Sequence, residues 1–158
     1  MTADAETNIG DGQSATELLL IRHGAEYFAV ALTASMEAME LPVLTKIPGS
    51  PALLLGLLTD RGAGVPVFDA SRIFDVDASG RGDEVLVIIR DGERQVGLVV
   101  DEIEDVIMVD LMTMQQPMDS MRVGGVVRGV VQSGNRLVAV LDARAIVRMG
   151  ARALPERA

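Results

Sequence analysis

Four carboxylates crowd one short stretch, Asp101, Glu102, Glu104 and Asp105, and oxygen donors at that density are what a hard cation such as Mg²⁺ or Ca²⁺ selects. Ile103 and Val106 interleave with them in a strand-like pattern. Alternate residues of a strand point to opposite faces, so the four are expected to line a half-exposed edge and not to converge. His23, the single histidine, falls on a polar turn and is expected to be solvated there. It has no G-x-S-x-G, H-E-x-x-H or G-x-x-x-x-G-K-[ST] context to work with, and no Ser-His-Asp order is convincing. Gly62-x-Gly64 reads as a pair of hairpin glycines and Arg81-Gly82-Asp83 as a turn. The absence of Cys removes disulfides and thiolate metal sites. Catalytic, cofactor-binding and metal residues are therefore all expected to be none. Met108, Met112, Met114, Met118 and Met121 leave two readings open, core filling or an adaptable partner surface.

The elements that would carry these residues begin with a duplication. G-L-L-T-D-R-G-A-G-V-P-V-F-D from Gly56 to Asp69 is echoed by G-V-V-Q-S-G-N-R-L-V-A-V-L-D from Gly129 to Asp142. Val65 and Val67 match Val138 and Val140, Asp69 matches Asp142, and Ile73 matches Ile146. One strand-turn-strand unit is present twice, with Asp69 and Asp142 placed to cap short helices over Ala70 to Phe74 and Ala143 to Met149. In the first copy the tip Asp60-Arg61-Gly62 presents Arg61 outward on a stiff hairpin.

Elsewhere the polar turn His23 to Glu26 separates L-L-L-I-R from Y-F-A-V-A-L, a hairpin signal. Thr33 to Leu41, with Met36, Met39 and Glu40 at helical spacing, predicts a helical turn ended by Pro42. Ser79 to Glu84 reads as a turn, and Val85 to Ile89 pairs with Gln95 to Val100 through Asp91-Gly92. Some ten short strands and little helix predict an all-β fold of SH3-like barrels or a sandwich.

Composition bounds the function. The chain has 158 residues, 49% of them hydrophobic, enough for one domain or two small lobes. No stretch approaches the roughly 20 apolar residues that span a bilayer, and the start lacks a basic then apolar leader, so a cytoplasmic protein without membrane insertion is expected. Net charge is −9, with 7 basic and 21 acidic residues through Met121 and 7 basic and 2 acidic after it. Arg128, Arg136 and Arg144 are spread through strand-like sequence and do not form a run, so no nucleic-acid binding is expected.

Three blocks resemble the CheW-like family of chemotaxis coupling (adaptor) proteins over about Glu17 to Met149. They are Gly56, Arg61, Gly62, Pro66, Val67 and Asp69; then Val96-Gly97-Leu98-Val99-Val100-Asp101-Glu102-Ile103; then Gly129-Val130, Leu137-Val138 and Leu141-Asp142. The resemblance implies two five-stranded SH3-like β-barrel lobes with short helices and swapped or shared strands. The domain is expected over 17–150 and a C-terminal tail over 151–158. The first sixteen residues, rich in Asp, Gly, Thr and Ser, have too few apolar side chains to offset the entropy of ordering and are expected to be a flexible acidic tail over 1–16. The first lobe is expected at roughly 17–68 plus part of the C-terminal segment, and the second at roughly 69–142. The implied function is a non-enzymatic adaptor. Its implied partners are the regulatory domain of a CheA-type histidine kinase and the cytoplasmic tip of a methyl-accepting chemoreceptor. The implied partner-binding residues are Arg61, Gly62, Asp60, Glu37, Met36, Val100 and Asp101, and Arg61 inherits the coupling role. Thr59-Asp60 stands where the family has Asn-Leu, and Ser35-Met36-Glu37-Ala38 where it has V-x-E-V. These departures keep open an adaptor of a related pathway, type IV pilus motility or biofilm signalling. From another class, a small-ligand sensor with a pocket between the lobes is the alternative.

Overall fold

Apolar runs without polar alternation, such as Leu18 to Ile21, Leu86 to Ile89 and Val138 to Leu141, demand strands covered on both faces. The computed structural model describes residues 15–32, 35–60, 63–74, 76–77, 84–117 and 125–153, and it supplies both covers. The strands are β1 (Ala15–His23), β2 (Glu26–Ala31), β3 (Ser35–Glu40), β4 (Leu54–Asp60), β5 (Ala63–Asp69), β6 (Val85–Asp91), β7 (Arg94–Val100), β8 (Glu102–Asp110), β9 (Val127–Ser133) and β10 (Arg136–Leu141). Helix α1 (Ala70–Phe74) follows β5 and α2 (Ala143–Ala153) follows β10, while one 3₁₀ turn, Leu111–Thr113, follows β8.

The strands form two five-stranded sheets with matching roles, β8-β1-β2-β10-β9 and β3-β6-β7-β5-β4. In each, two antiparallel hairpins meet at one parallel junction. Val138, Ala139 and Val140 lie against Tyr27, Phe28 and Ala29 in the first, and Val67, Phe68 and Asp69 against Gly97, Leu98 and Val99 in the second. The duplication read from Gly56 and Gly129 thus extends to the hairpins β1–β2 and β6–β7. Each repeat glycine also sits opposite its own valine, Gly56 against Val67 and Gly129 against Val140.

Those glycines carry a second constraint. The chain leaving β3 returns to bridge β4 at Thr45 and Leu57, and the chain leaving β8 returns to bridge β9 at Gln115 and Val130. The first bridge has hydrogen bonds of 2.9 and 2.7 Å and the second of 2.9 and 2.8 Å. A Cβ on Gly56 would lie 2.7 Å from the Thr45 carbonyl oxygen, and one on Gly129 2.5 Å from that of Gln115. Only glycine lets the returning backbone come this close. One bridge, and no continuous ladder, curls each sheet toward an SH3-like barrel.

Side chains sort into three cores. Leu18, Leu20, Ala29, Val131, Val138 and Val140 fill the concave side of the first sheet, and Val67, Leu86, Ile88 and Val99 that of the second. Between the sheets lies a shared core containing Ile21, Phe28 and Val30 from one lobe and Phe68, Val87, Ile89 and Leu98 from the other. The helices lock this seam reciprocally. Asp69 accepts a hydrogen bond from the Ser71 N–H at 2.9 Å and caps α1, whose Phe74 stacks on Phe28 of the first sheet at 4.4 Å. Asp142 accepts from the Ala145 N–H at 3.2 Å and starts α2, which crosses from the first sheet to pack on β5, β6 and β7 of the second.

Several expectations change. Where a helical turn is expected within Thr33 to Leu41, the described residues Ser35–Glu40 are a strand paired along β6, with Met36 opposite Ile89. Met36 packs against the shared core and Met39 against the second sheet's own core, because residues three apart on a strand face opposite ways. The open edge of β6 overrides a weak helical propensity. Sheet membership divides the chain differently from 17–68 and 69–142, since β3 to β7 form one sheet and both ends of the chain form the other. Helix α2 runs on to Ala153, past Met149. The tail expected over 1–16 lies outside the described residues except Ala15 and Thr16, which begin β1; Arg81-Gly82-Asp83, Met118, Met121 and residues 154–158 also lie outside them.

Candidate functional site: the hairpin tip, the edge strand and the seam

Three places collect the expected site residues. The first is the end of the β4–β5 hairpin, where Thr59 pairs with Gly64 and Asp60 with Ala63. Residues 61 and 62, which join that last pair, lie outside the described residues. The corresponding hairpin of the other lobe, β9–β10, uses its arginine internally: the Arg136 guanidinium lies over the Tyr27 ring at 4.6 Å and 3.8 Å from Glu104.

The second place is β3, an edge strand of the second sheet. Glu37 is exposed and accepts a hydrogen bond from Arg90 Nη2 at 2.8 Å, while the half-buried Met36 reaches the shared core. Nearby Val43 is almost wholly exposed. On the other lobe's edge strand Met108 is 62% exposed, and Met112 just beyond it 80%, whereas Met114 packs against the first sheet's core. The methionines therefore divide between surface and core.

The third place is the seam, where the sequence reading needs most correction. Val100 is 1% exposed within the shared core and Asp101 is 5% exposed at the bend between β7 and β8, so neither offers a surface to a partner. Asp101 Oδ2 accepts the Gly24 N–H at 2.7 Å and ties the β1–β2 turn to the start of β8. The acidic cluster does converge in part, on a guanidinium. Arg22 donates to Glu102 at 2.8 Å and lies 3.5 Å from Glu104 and 3.9 Å from Asp101. The hydrogen bond to Glu102, with the charges of Glu102, Asp101 and Glu104, raises the Arg22 pKa above its ordinary value. Pairing of β1 with β8, which sets Arg22 opposite Glu102, brings these residues together. Among the described residues no group of acidic or histidine side chains is arranged to hold a metal ion.

His23 is not solvated. It is 1% exposed, and its Nε2 shares a 2.7 Å hydrogen bond with Ser71 Oγ of α1. Its Nδ1 has no hydrogen-bond partner and stands 3.9 Å from Asp101 Oδ2. Burial lowers the pKa of the ring, opposed by the charges of Asp101 and Asp69. Serine, histidine and aspartate are thus brought together from three parts of the chain, a grouping no local motif signals. It is a clasp and not a nucleophile relay: 3.9 Å is too long for the aspartate to orient the ring, and the imidazole is sealed from substrate.

Comparison with known proteins agrees with this geometry. A probable chemotaxis protein CheW of Rhizobium etli is 26% identical over 137 residues, covering 85% of this chain and 88% of that protein. The chemotaxis protein CheW of Bacillus subtilis is 27% identical over 134 residues, covering 82% and 85%. The crystal structure of the scaffolding protein TtCheW of Thermoanaerobacter tengcongensis superposes with a TM-score of 0.74 at 18% identity, covering 87% of this chain and 90% of that one, and shows the same fold. Among the described residues no helix is long and apolar enough to cross a membrane. Residues 17–151 match the CheW-like domain, and the chain belongs to that family.

Proposed function

We propose that this protein is a chemotaxis adaptor that does no chemistry of its own and couples chemoreceptors to a CheA-type histidine kinase. The observation that carries the reading is the match of residues 17–151 to the CheW-like domain, spanning both sheets and the seam between them. The contact residues are Arg61 and Gly62 at the β4–β5 tip, with Asp60 beside them, and Met36 and Glu37 on the β3 edge. Val100 and Asp101 serve indirectly, by fixing the seam on which these surfaces stand. The divergence of the two hairpin tips supports this assignment, because Arg136 is engaged within its own lobe. The regulatory domain of the kinase and the cytoplasmic tip of a receptor are the partners, which sets the adaptor's work in the cytoplasm. A shared core occupies the space between the sheets and leaves the small-ligand sensor with little support.

The test is reconstitution with the receptor signalling domain and the kinase of the same organism, reading kinase autophosphorylation. Arg61→Glu is expected to leave the melting curve unchanged and to reduce receptor-dependent activation by about tenfold or more, as loss of an interface anchor does. Full activation by the variant would remove Arg61 from the contact. Failure of the wild-type chain to support any activation would overturn the adaptor reading.

A further inference from the structure

Beside the β4–β5 hairpin the surface opens into a cleft of about 200 Å³. Gly64 and Pro66 of β5, Arg94 and Gln95 at the start of β7, and Val147 and Ala151 of α2 line it. Pro66 and Val147 make an apolar floor, and Gly64 leaves the wall on its side without a side chain. The volume suits one medium-sized apolar side chain.

Guanidinium groups stand on two sides of the cleft. Arg144, Arg148 and Arg152 recur every fourth residue on α2 and are exposed. At about 100° per residue, Arg144 and Arg148 border the face that carries Val147 and Ala151. Across the cleft stands Arg94, with Glu93 beside it as the one acidic lining residue. Arg144 lies 3.9 Å from Asp91, but Arg94, Arg148 and Arg152 have no ion-pair or hydrogen-bond partner among the described residues. Two unpaired guanidinium groups, Arg94 and Arg148, beside an apolar floor stand out in a chain of net charge −9. The surrounding acidity also narrows the choice of ligand. An extended polyanion, whether nucleic acid or lipid surface, would meet the acidic remainder of the molecule, whereas a short acidic segment meets only the cleft.

We propose that this cleft docks an acidic amphipathic segment of a protein partner. One apolar side chain enters over Pro66, Val147 and Ala151, and flanking carboxylates pair with Arg94 on one side and Arg148 on the other. The inference rests on the adaptor reading for there being a protein partner at all. It adds that partner's chemistry and a contact on α2, separate from the hairpin tip.

The test uses a fluorescently labelled helical peptide of about 18 residues, with a leucine flanked by glutamates one turn to either side, titrated with the full chain by fluorescence polarisation. Binding is expected to weaken about tenfold or more in the Arg94→Glu, Arg148→Glu double variant, and severalfold when salt rises from about 50 to about 300 mM. Replacing the leucine by alanine, or the glutamates by glutamine, should each weaken it, and Arg61→Glu should leave it unchanged. Arg94→Gln with Arg148→Gln repeats the measurement if charge reversal impairs folding. No binding by the wild-type chain, or binding that survives the double variant, overturns the proposal. So does equally arginine-dependent binding to phosphatidylglycerol vesicles or duplex DNA, which would mark a general polyanion surface. Absence of peptide binding by the wild-type chain, with its receptor-dependent kinase activation intact, would sink the cleft and leave the adaptor standing. The converse result would sink the adaptor and leave the cleft.

Discussion

His23 and Ser71 meet across the seam at 2.7 Å, in the position that Asp91 and Arg144 occupy on the other side of the molecule. His23 and Asp91 are the last residues of β1 and β6, each followed by a turn glycine at positive φ, Gly24 at 60° and Gly92 at 65°. Ser71 and Arg144 each stand two residues after the capping aspartate of their helix. The same contact between a hairpin of one lobe and a helix of the other is therefore built twice, once as a buried neutral pair and once as an exposed ion pair.

The two clasps should differ in strength. Ser71→Ala leaves both ring nitrogens of a buried imidazole without partners and is expected to destabilise the protein by about 1 to 3 kcal/mol. Arg144→Ala breaks a pair whose side chains are 76% and 46% exposed, and should change stability by less than about 1 kcal/mol. Urea unfolding of the two variants, compared at constant m-value, decides the ranking.

The buried ring also sets a pH dependence. Its pKa is lowered in the folded state, so the unfolded chain binds the proton more readily. The stabilisation from a neutral His23 is fully present above the unfolded value of 6.5 and is lost as pH falls below it toward the folded value. Melting temperature should fall more steeply between about pH 7.5 and pH 5.5 in the wild-type chain than in His23→Gln, whose side chain can still reach Ser71 but does not titrate. Parallel slopes in the two proteins would show that other groups carry the dependence.

At the barrel closures the expectation is symmetric. Gly56→Ala and Gly129→Ala each push a methyl group into a returning carbonyl, at 2.7 Å from Thr45 and 2.5 Å from Gln115. Each should lose about 1 to 3 kcal/mol, and each should speed hydrogen exchange at its own bridge, Thr45 and Leu57 or Gln115 and Val130. Exchange that speeds equally at both bridges would mean that the closures are not independent.

On the β3 edge, Glu37→Lys exchanges an exposed pair with Arg90 for a repulsion and should cost the fold no more than about 1 kcal/mol. If this edge is a partner surface, co-sedimentation with receptor and kinase should fall severalfold while the melting curve barely moves. Unchanged co-sedimentation would leave the β4–β5 tip as the main contact.

What could be read from the residues and what could not follows the range of each interaction. The turns at His23 to Glu26 and at Asp91-Gly92, the capping roles of Asp69 and Asp142 and the paired hairpins all depend on neighbours in the chain, and the structure contains them. Ser35–Glu40 carries a helical spacing locally but forms a strand, because the strand that captures it, β6, lies far along the sequence. The burial of His23 was invisible for the same reason. Ser71 and the segment at Val76 and Asp77, which passes over the Gly24 turn, both belong to the other half of the fold. Likewise, Arg22 could not be placed among Asp101, Glu102 and Glu104 until β1 and β8 were known to be neighbours. The cleft on α2 was hidden too, since its lining is assembled from three separate elements.

The placement of β10 beside β2 has a consequence for biosynthesis. The strands of the second sheet, β3 to β7, are contiguous in the chain and can pair as soon as they leave the ribosome. The β1–β2 hairpin must wait, because the edge it offers is filled only when the last strand arrives. Until then an apolar strand edge stays open, a template for pairing with another nascent chain. Helix α2 follows β10 and fastens the late sheet onto the early one. A chain truncated before β10 should therefore keep a sheet able to form, with the contact residues of β3 to β5 on it, yet lack the strand and the helix that join that sheet to the other.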